Sequence, residues 1–255
     1  LGVVEPMSTG IGGDIFALIW DPKTEKVASF NGSGTSSRNS NPEELKKLGL
    51  ESIPTEGKYG AYSVSVPGSV DGWEKILSKF GTISLSDSLA PGIKLAEQGF
   101  PVSKLISWAW KESQEKLLFR DSGKELLKNG RAPDEGEIIQ LTELAESMSE
   151  ISSKGTSAIY KGSLGKKISE FIQNEGGWLD EQDLVNYKSF WTDPISINYR
   201  GYEVFECPPN GQGLAALIAL NMIENNDFSK ISHGSSDFYH YLIESMRVGF
   251  ADSLW

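Results

Sequence analysis

The chain of 255 residues carries 24 basic against 35 acidic side chains, a net charge of −11, which excludes a nucleic-acid surface because phosphate neutralisation needs a basic face. With 38% hydrophobic and 10% aromatic residues its composition is that of an ordinary soluble globular protein, neither disordered nor membrane-embedded. The longest apolar run, Leu214 to Ile223, is broken by Asn221 and falls short of the roughly 20 residues that cross a bilayer. The first predicted elements are strands over Asp14–Trp20 and Lys26–Phe30, joined by the turn residues Asp21-Pro-Lys-Thr into a β-hairpin. Gly10, Gly12 and Gly13 on one side, with Gly32 and Gly34 on the other, mark two permissive loops at the same end of that hairpin.

Asn41-Pro-Glu-Glu-Leu supplies a cap, a first-turn proline and acids for a short helix ended by Gly49. Tyr62–Val66 alternates like a strand and stops at Pro67-Gly68. Trp73, Ile76, Leu77 and Phe80 then form the apolar stripe of a helix that Gly81 closes, and a further helix runs over Ser86–Gln98 to Gly99, with Pro91-Gly92 blurring its start. Val102–Phe119 and Glu135–Ser149 read as helical, and Leu164, Ile168, Phe171 and Ile172 mark another helix closed by Gly176-Gly177. A second hairpin pairs Ile195–Tyr199 with Tyr202–Cys207 across Arg200-Gly201. Pro208 to Gly213 leads into a helix from Leu214, and the last helix, Ser235–Ala251, sets Tyr239, Leu242, Ile243, Met246 and Phe250 on one side. There is no internal repeat or linker, so residues 1–255 read as a single α+β domain, incomplete at both ends.

The chemical motifs are sparse. Gly211-Gln-Gly213-Leu-Ala-Ala216 fits a dinucleotide fingerprint, but Asn225–Asp237 lacks the second strand that would carry the ribose-binding acid. It therefore reads as a tight glycine entry that packs a helix on the sheet. Only His233 and His240 could act as the base of a serine hydrolase, no nucleophile elbow occurs, and His240 reads as a partly buried packing residue. Cys207 is the only cysteine, so no disulfide framework or cysteine zinc site can form within the chain. The acids Glu43, Glu44, Asp180, Glu181 and Asp183 read as solvated helix positions, and no catalytic metal is expected. Among the arginines Arg38, Arg120, Arg131, Arg200 and Arg247, Arg38 lies nearest the Gly32-Ser33-Gly34 turn and is the candidate carboxylate clamp, set against the plainer reading of a surface residue paired with nearby acids.

Seven separated segments resemble the gamma-glutamyltransferase family, in the family's order and across nearly the whole chain. They are Leu1–Gly13, Val66-Pro-Gly-Ser-Val-Asp-Gly-Trp73, Ala90–Val102, Tyr160-Lys-Gly, Gly176-Gly-Trp-Leu-Asp-Glu-Gln-Asp-Leu-Val-Asn-Tyr187, Tyr199–Val204 and Pro208–Leu214. The resemblance implies a four-layer αββα sandwich of the N-terminal nucleophile hydrolase type, made as a precursor that cuts itself into two subunits. It implies a threonine nucleophile freed at the new N-terminus of the small subunit, acting on a γ-glutamyl or related small amide with its own α-amine as base. This chain then corresponds to most of the large-subunit part, with no catalytic residue of its own, no cofactor, and the small-subunit part as its partner. Oligomeric state and localisation stay open.

In the family's pattern an arginine follows the second strand and grips the substrate α-carboxylate. Here Ser33 stands at that place, Thr35 where other relatives carry arginine after Gly-Ser-Gly, and the next arginine is Arg38, so Ser33, Thr35 and Arg38 are the candidate substrate-binding residues. The competing class is a non-catalytic, unprocessed member that keeps the sandwich as a binding or structural protein.

Overall fold

The computed structural model describes residues 1–224 and 226–253, the side chain of Ser122 aside. The chain forms two compact units, one of Leu1–Asp14 with Ser33–Lys188, the other of Ile15–Gly32 with the segment from Ser189 onward. Strands β1 (Ile15–Asp21) and β2 (Lys26–Gly32) pair antiparallel from Ile15 opposite Gly32 to Asp21 opposite Lys26. The Asp21 carboxylate holds the turn by accepting from the Lys23 N–H at 2.9 Å and the Thr24 hydroxyl at 3.0 Å. Because Ile15 opposes Gly32, the chain enters and leaves the hairpin at the end away from its turn.

The larger unit is mainly helical. Helix α1 (Pro42–Lys47) is capped by the Asn41 side chain, which accepts from the Glu43 N–H at 3.1 Å. Helices α2 (Ser69–Phe80) and α3 (Leu85–Gln98) follow, and α3 starts on a Ser84/Asp87 capping box, ahead of Pro91, which lies inside the helix. Strand β3 (Phe100–Pro101), helices α4 (Lys104–Glu112) and α5 (Gln114–Phe119), and strand β4 (Ile138–Ile139) come next. Helices α6 (Thr142–Lys154), α7 (Ser157–Tyr160), α8 (Ser163–Asn174) and α9 (Glu181–Asn186) complete the unit. Its core gathers fully buried side chains from α2, α4, α6, α7 and α9 (Val70, Trp110, Ile151, Ile159 and Leu184) and from the segments between elements (Val66, Val102, Leu141 and Leu179). Each aliphatic member contributes about 1.5–3 kcal/mol by leaving water.

Two expectations fail here. Tyr62–Val66 is not a strand: Tyr62 belongs to a 3-10 turn, Gly57–Ser63, and Val66 makes one ladder-like bond, its N–H to Thr35 O at 3.0 Å. The alternation arises because Tyr62 reaches Glu44 while Val66 reaches the core. Glu135–Leu141 is not helical either, because β4 pairs with β3, opposing Ile139 to Phe100, and the helix waits until Thr142.

In the smaller unit, β5 (Phe190–Thr192) extends the hairpin into a three-stranded sheet of order β1-β2-β5. Strands β6 (Ile195–Tyr199) and β7 (Tyr202–Glu206) form the second hairpin, whose turn residues Arg200 and Gly201 both have positive φ, 52° and 86°, as a type I′ turn requires. Helix α10 (Gly213–Glu224) buries Ala215, Leu217, Ala219 and Ile223. Helix α11 (Ser236–Ser253) turns Ser245 and Gly249 into the structure, where Gly249 lies so close to α10 that a Cβ would fall 2.5 Å from Ala215 O. Of the stripe on one side of this helix, Tyr239, Ile243 and Met246 are exposed and Leu242 and Phe250 half-buried. His240 is exposed as well, with its ring 6.3 Å from that of Tyr241, and is not the packing residue expected. No helix among the described residues is long and apolar enough to cross a membrane.

Candidate functional site

The segment that leaves β2, Ser33 to Asn39, has no regular secondary structure, so its buried polar groups need partners outside any helix or strand ladder. The Gly34 N–H donates to the Asp14 carboxylate at 2.8 Å, and Thr35 O accepts from Val66 N–H at 3.0 Å. The Tyr187 hydroxyl donates to Ser33 O at 3.0 Å. Further along, the Ser37 hydroxyl lies 2.6 Å from Asp183 Oδ2 and 2.9 Å from Trp178 O, and the Arg38 N–H donates to Asp183 Oδ1 at 3.0 Å. The Asn39 amide donates to Asp180 Oδ2 at 2.9 Å. Six residues of an irregular loop are thereby fixed.

Of the three candidate residues, Ser33 is half-buried and Thr35 exposed. Arg38 sits at the far end of the loop with its guanidinium Nη2 2.5 Å from Asp180 Oδ2 and Nε 3.6 Å from Asp183 Oδ1. Its side chain is nonetheless 53% exposed. Burial pushes the Asp180 carboxyl up, but hydrogen bonds from Arg38, Asn39 and the Asp183 N–H outweigh it and hold the group below the ordinary carboxylate value.

The acids are not uniformly solvated. Asp183 is buried, and Glu44 is half-buried, accepting from the Trp178 indole at 2.8 Å and the Tyr62 hydroxyl at 3.1 Å. Spacing could not reveal this, since Ser37 and Asp183 are 146 positions apart.

Beneath the loop, Tyr187 stacks on Tyr160 with ring centres 5.6 Å apart. The Tyr160 hydroxyl donates to Pro67 O at 2.6 Å and accepts from the Asp71 N–H at 3.2 Å, tying α7 to the start of α2. Burial pushes both phenols well above their usual range, with the Asp71 and Asp14 carboxylates adding to the effect, so both stay neutral donors. Tyr160→Phe strands a buried carbonyl and a backbone N–H, and the expected loss is about 1–3 kcal/mol in the denaturant midpoint at constant slope. An unchanged midpoint would mean that other partners replace the hydroxyl.

The glycine fingerprint resolves as a packing device. A Cβ on Gly213 would lie 2.7 Å from Glu206 Cβ, so glycine lets α10 start against β7. After α10 the described chain offers a 3-10 turn, Phe228–Lys230, and no strand to carry a ribose-binding acid.

Solved structures match this chain over nearly its full length. Helicobacter pylori gamma-glutamyltranspeptidase superposes with a TM-score of 0.90 at 30% identity, covering 99% of this chain and 73% of that one. A cephalosporin acylase from Bacillus halodurans gives 0.89 at 36% identity, covering 98% of this chain and 47% of that one. The fold is therefore the α+β architecture of the N-terminal nucleophile hydrolases, the αββα class, of which this chain carries part. The family profile described as Gamma-glutamyltranspeptidase matches residues 1–255, and the chain belongs to that family. Among curated relatives, the glutathione hydrolase-like YwrD proenzyme of Bacillus subtilis is 39% identical over 99% of this chain and 47% of its own length. The glutathione hydrolase proenzyme of the same organism is 34% identical over 99% of this chain and 43% of its own length. The chain thus spans about half the length of the curated relatives it matches.

Proposed function

We propose that this chain is the large-subunit part of a self-processing amide hydrolase or acyl transferase. Its nucleophile is a threonine in a later segment, freed by autocleavage, and its substrate is a γ-glutamyl or related small amide. The observation that carries the proposal is the match of the whole chain to under half of relatives named as proenzymes. No cofactor enters the reaction: the freed amine serves as base and the threonine hydroxyl attacks the amide carbonyl, giving an acyl-enzyme that passes to water or an amine. The small-subunit part is the partner. Intact mass of the full-length product, before and after incubation, tests this. Two fragments are expected, and a single stable species would favour the inert binding protein.

Within this reading, Ser33, Thr35 and Arg38 face the donor. The partial exposure of Arg38 lets a substrate carboxylate approach while Asp180 keeps its hydrogen bond. Two carboxylates already beside the guanidinium weaken its pull on a third, which favours donors that do not depend on a full arginine clamp. Arg38→Ala is expected to raise KM for a carboxylate-bearing donor about tenfold, the low end for a charge-assisted hydrogen bond. An unchanged KM would remove Arg38 from the donor site and leave an amide with a neutral acyl group as the substrate class.

A further inference from the structure

We infer that Asp183 is a positioning residue that latches the loop Ser33–Asn39 in the shape that presents Ser33 and Thr35 to the donor. The inference rests on the reading above that this loop faces the donor. Its starting point is a charge almost out of water: the Asp183 side chain is 4% exposed. Such a group is tolerated only when hydrogen bonds replace its hydration. Its carboxylate accepts from the Ser37 hydroxyl, the Arg38 N–H and, at 3.1 Å, the Asp180 N–H.

Two of those three donors belong to the loop. If the loop lifts away, Asp183 keeps only the bond from its own capping box, and a nearly buried carboxylate is left without most of its partners. Docking and the stability of that charge are thus the same event.

The carboxylate itself is well anchored. Asp180 and Asp183 cap α9 reciprocally, the Asp183 N–H donating to Asp180 Oδ1 at 3.0 Å, and Leu184 and Tyr187 of the same segment are buried in the core. Tyr187 also holds the first carbonyl of the loop. One short stretch, Asp180 to Tyr187, therefore grips the loop at both ends, at Ser33 and at Ser37–Asn39. The Arg38–Asp180 ion pair is of a different kind: its arginine is half exposed, and pairs of that sort contribute little. Order in the loop should depend on Asp183 and Ser37 and be nearly indifferent to the Arg38 side chain.

The test uses the full-length processed protein and two readouts, amide hydrogen exchange at Gly34 to Asn39 and the separate kcat and KM for a chromogenic γ-glutamyl anilide. Asp183→Ala and Ser37→Ala are expected to speed exchange across the loop about tenfold or more, whereas Arg38→Ala changes it less than about threefold. The same two variants should raise KM about tenfold with kcat within about threefold. Asp183→Asn, which keeps one acceptor oxygen, should fall between wild type and alanine. If Asp183→Ala fails to fold, Ser37→Ala still removes one loop donor while leaving the carboxylate in place. Unchanged exchange in Ser37→Ala and Asp183→Asn would overturn the latch. Faster exchange with unchanged KM would overturn the positioning role while leaving the enzyme reading intact. A wild-type protein that cleaves no amide would refute the proposed function alone, and exchange would then decide the latch by itself.

Discussion

Gly34→Ala is expected to cost about 3 kcal/mol of stability and to lower kcat/KM for an amide donor by about 100-fold in the full-length protein. An added Cβ at this position would overlap the carbonyl oxygen of Val66 and lie 2.8 Å from both Val66 C and Ser65 Oγ. Those are mostly backbone atoms, so no rotamer change relieves the overlap. Val66 is fully buried in the core and its N–H is bound to Thr35 O, so the loop moves and Val66 does not. A shift of the order of an ångström breaks the Gly34 N–H bond to Asp14 and displaces Ser33 and Thr35 together. Misplacement on that scale is what costs roughly two orders of magnitude in rate when substrate-positioning groups are involved. Chemical denaturation and steady-state kinetics separate the two effects. A variant with wild-type midpoint and wild-type kcat/KM would show that the Val64–Val66 segment yields and that the loop position does not matter.

Gly34 also shows how far the residue pattern alone reaches. Turn chemistry identified both hairpins, because Asp21-Pro-Lys-Thr and Arg200-Gly201 act within a few residues of themselves. The loop after β2 was equally legible, as were the capped ends of α1 and the glycine stop of α3. What could not be read was the source of the loop's partners. Asp14 lies 20 positions before Gly34, Tyr187 lies 154 after Ser33, and Asp183 lies 145 after Arg38. No periodicity links such positions. The Leu179 to Tyr187 stretch stood out only through its likeness to a family, and its acids looked like ordinary surface charges of a short helix. Similarly, the even alternation at Tyr62–Val66 carried no sign that no neighbouring strand would be there to pair with it. The partly exposed stripe of α11 shows the same limit from another side. An apolar face can be recognised along a helix, but whether anything in the same chain covers it depends on the packing of Ser245 and Gly249 on the opposite side.

Trp110→Ala is expected to cost about 3–5 kcal/mol, the range for deleting a large aromatic from a packed core. Trp110 is 0% exposed and sits on α4 amid the core of the larger unit, with Val102 and Leu141 also fully buried there. Its indole N–H donates to Leu126 O at 2.8 Å, so truncation opens a cavity and orphans a carbonyl at once. Trp110→Phe separates the two contributions, because it restores most of the volume and none of the hydrogen bond. The phenylalanine variant should therefore lose about 1–3 kcal/mol, the cost of the unpaired carbonyl. Both losses are read from urea midpoints at constant slope. A phenylalanine variant as unstable as the alanine one would assign the effect to the hydrogen bond, and an alanine variant losing under about 1 kcal/mol would mean that the core collapses into the space. Because Leu141 begins the turn into α6 and Val102 the turn into α4, loosening here spreads along the segments on either side of β3 and β4. The loop at Ser33–Asn39 should be spared: its anchors are Asp14, Val66, Trp178, Asp180, Asp183 and Tyr187, all outside α4. Hydrogen exchange on Trp110→Ala should accordingly rise along α4 and around β4 while the Gly34 and Arg38 amides keep their protection.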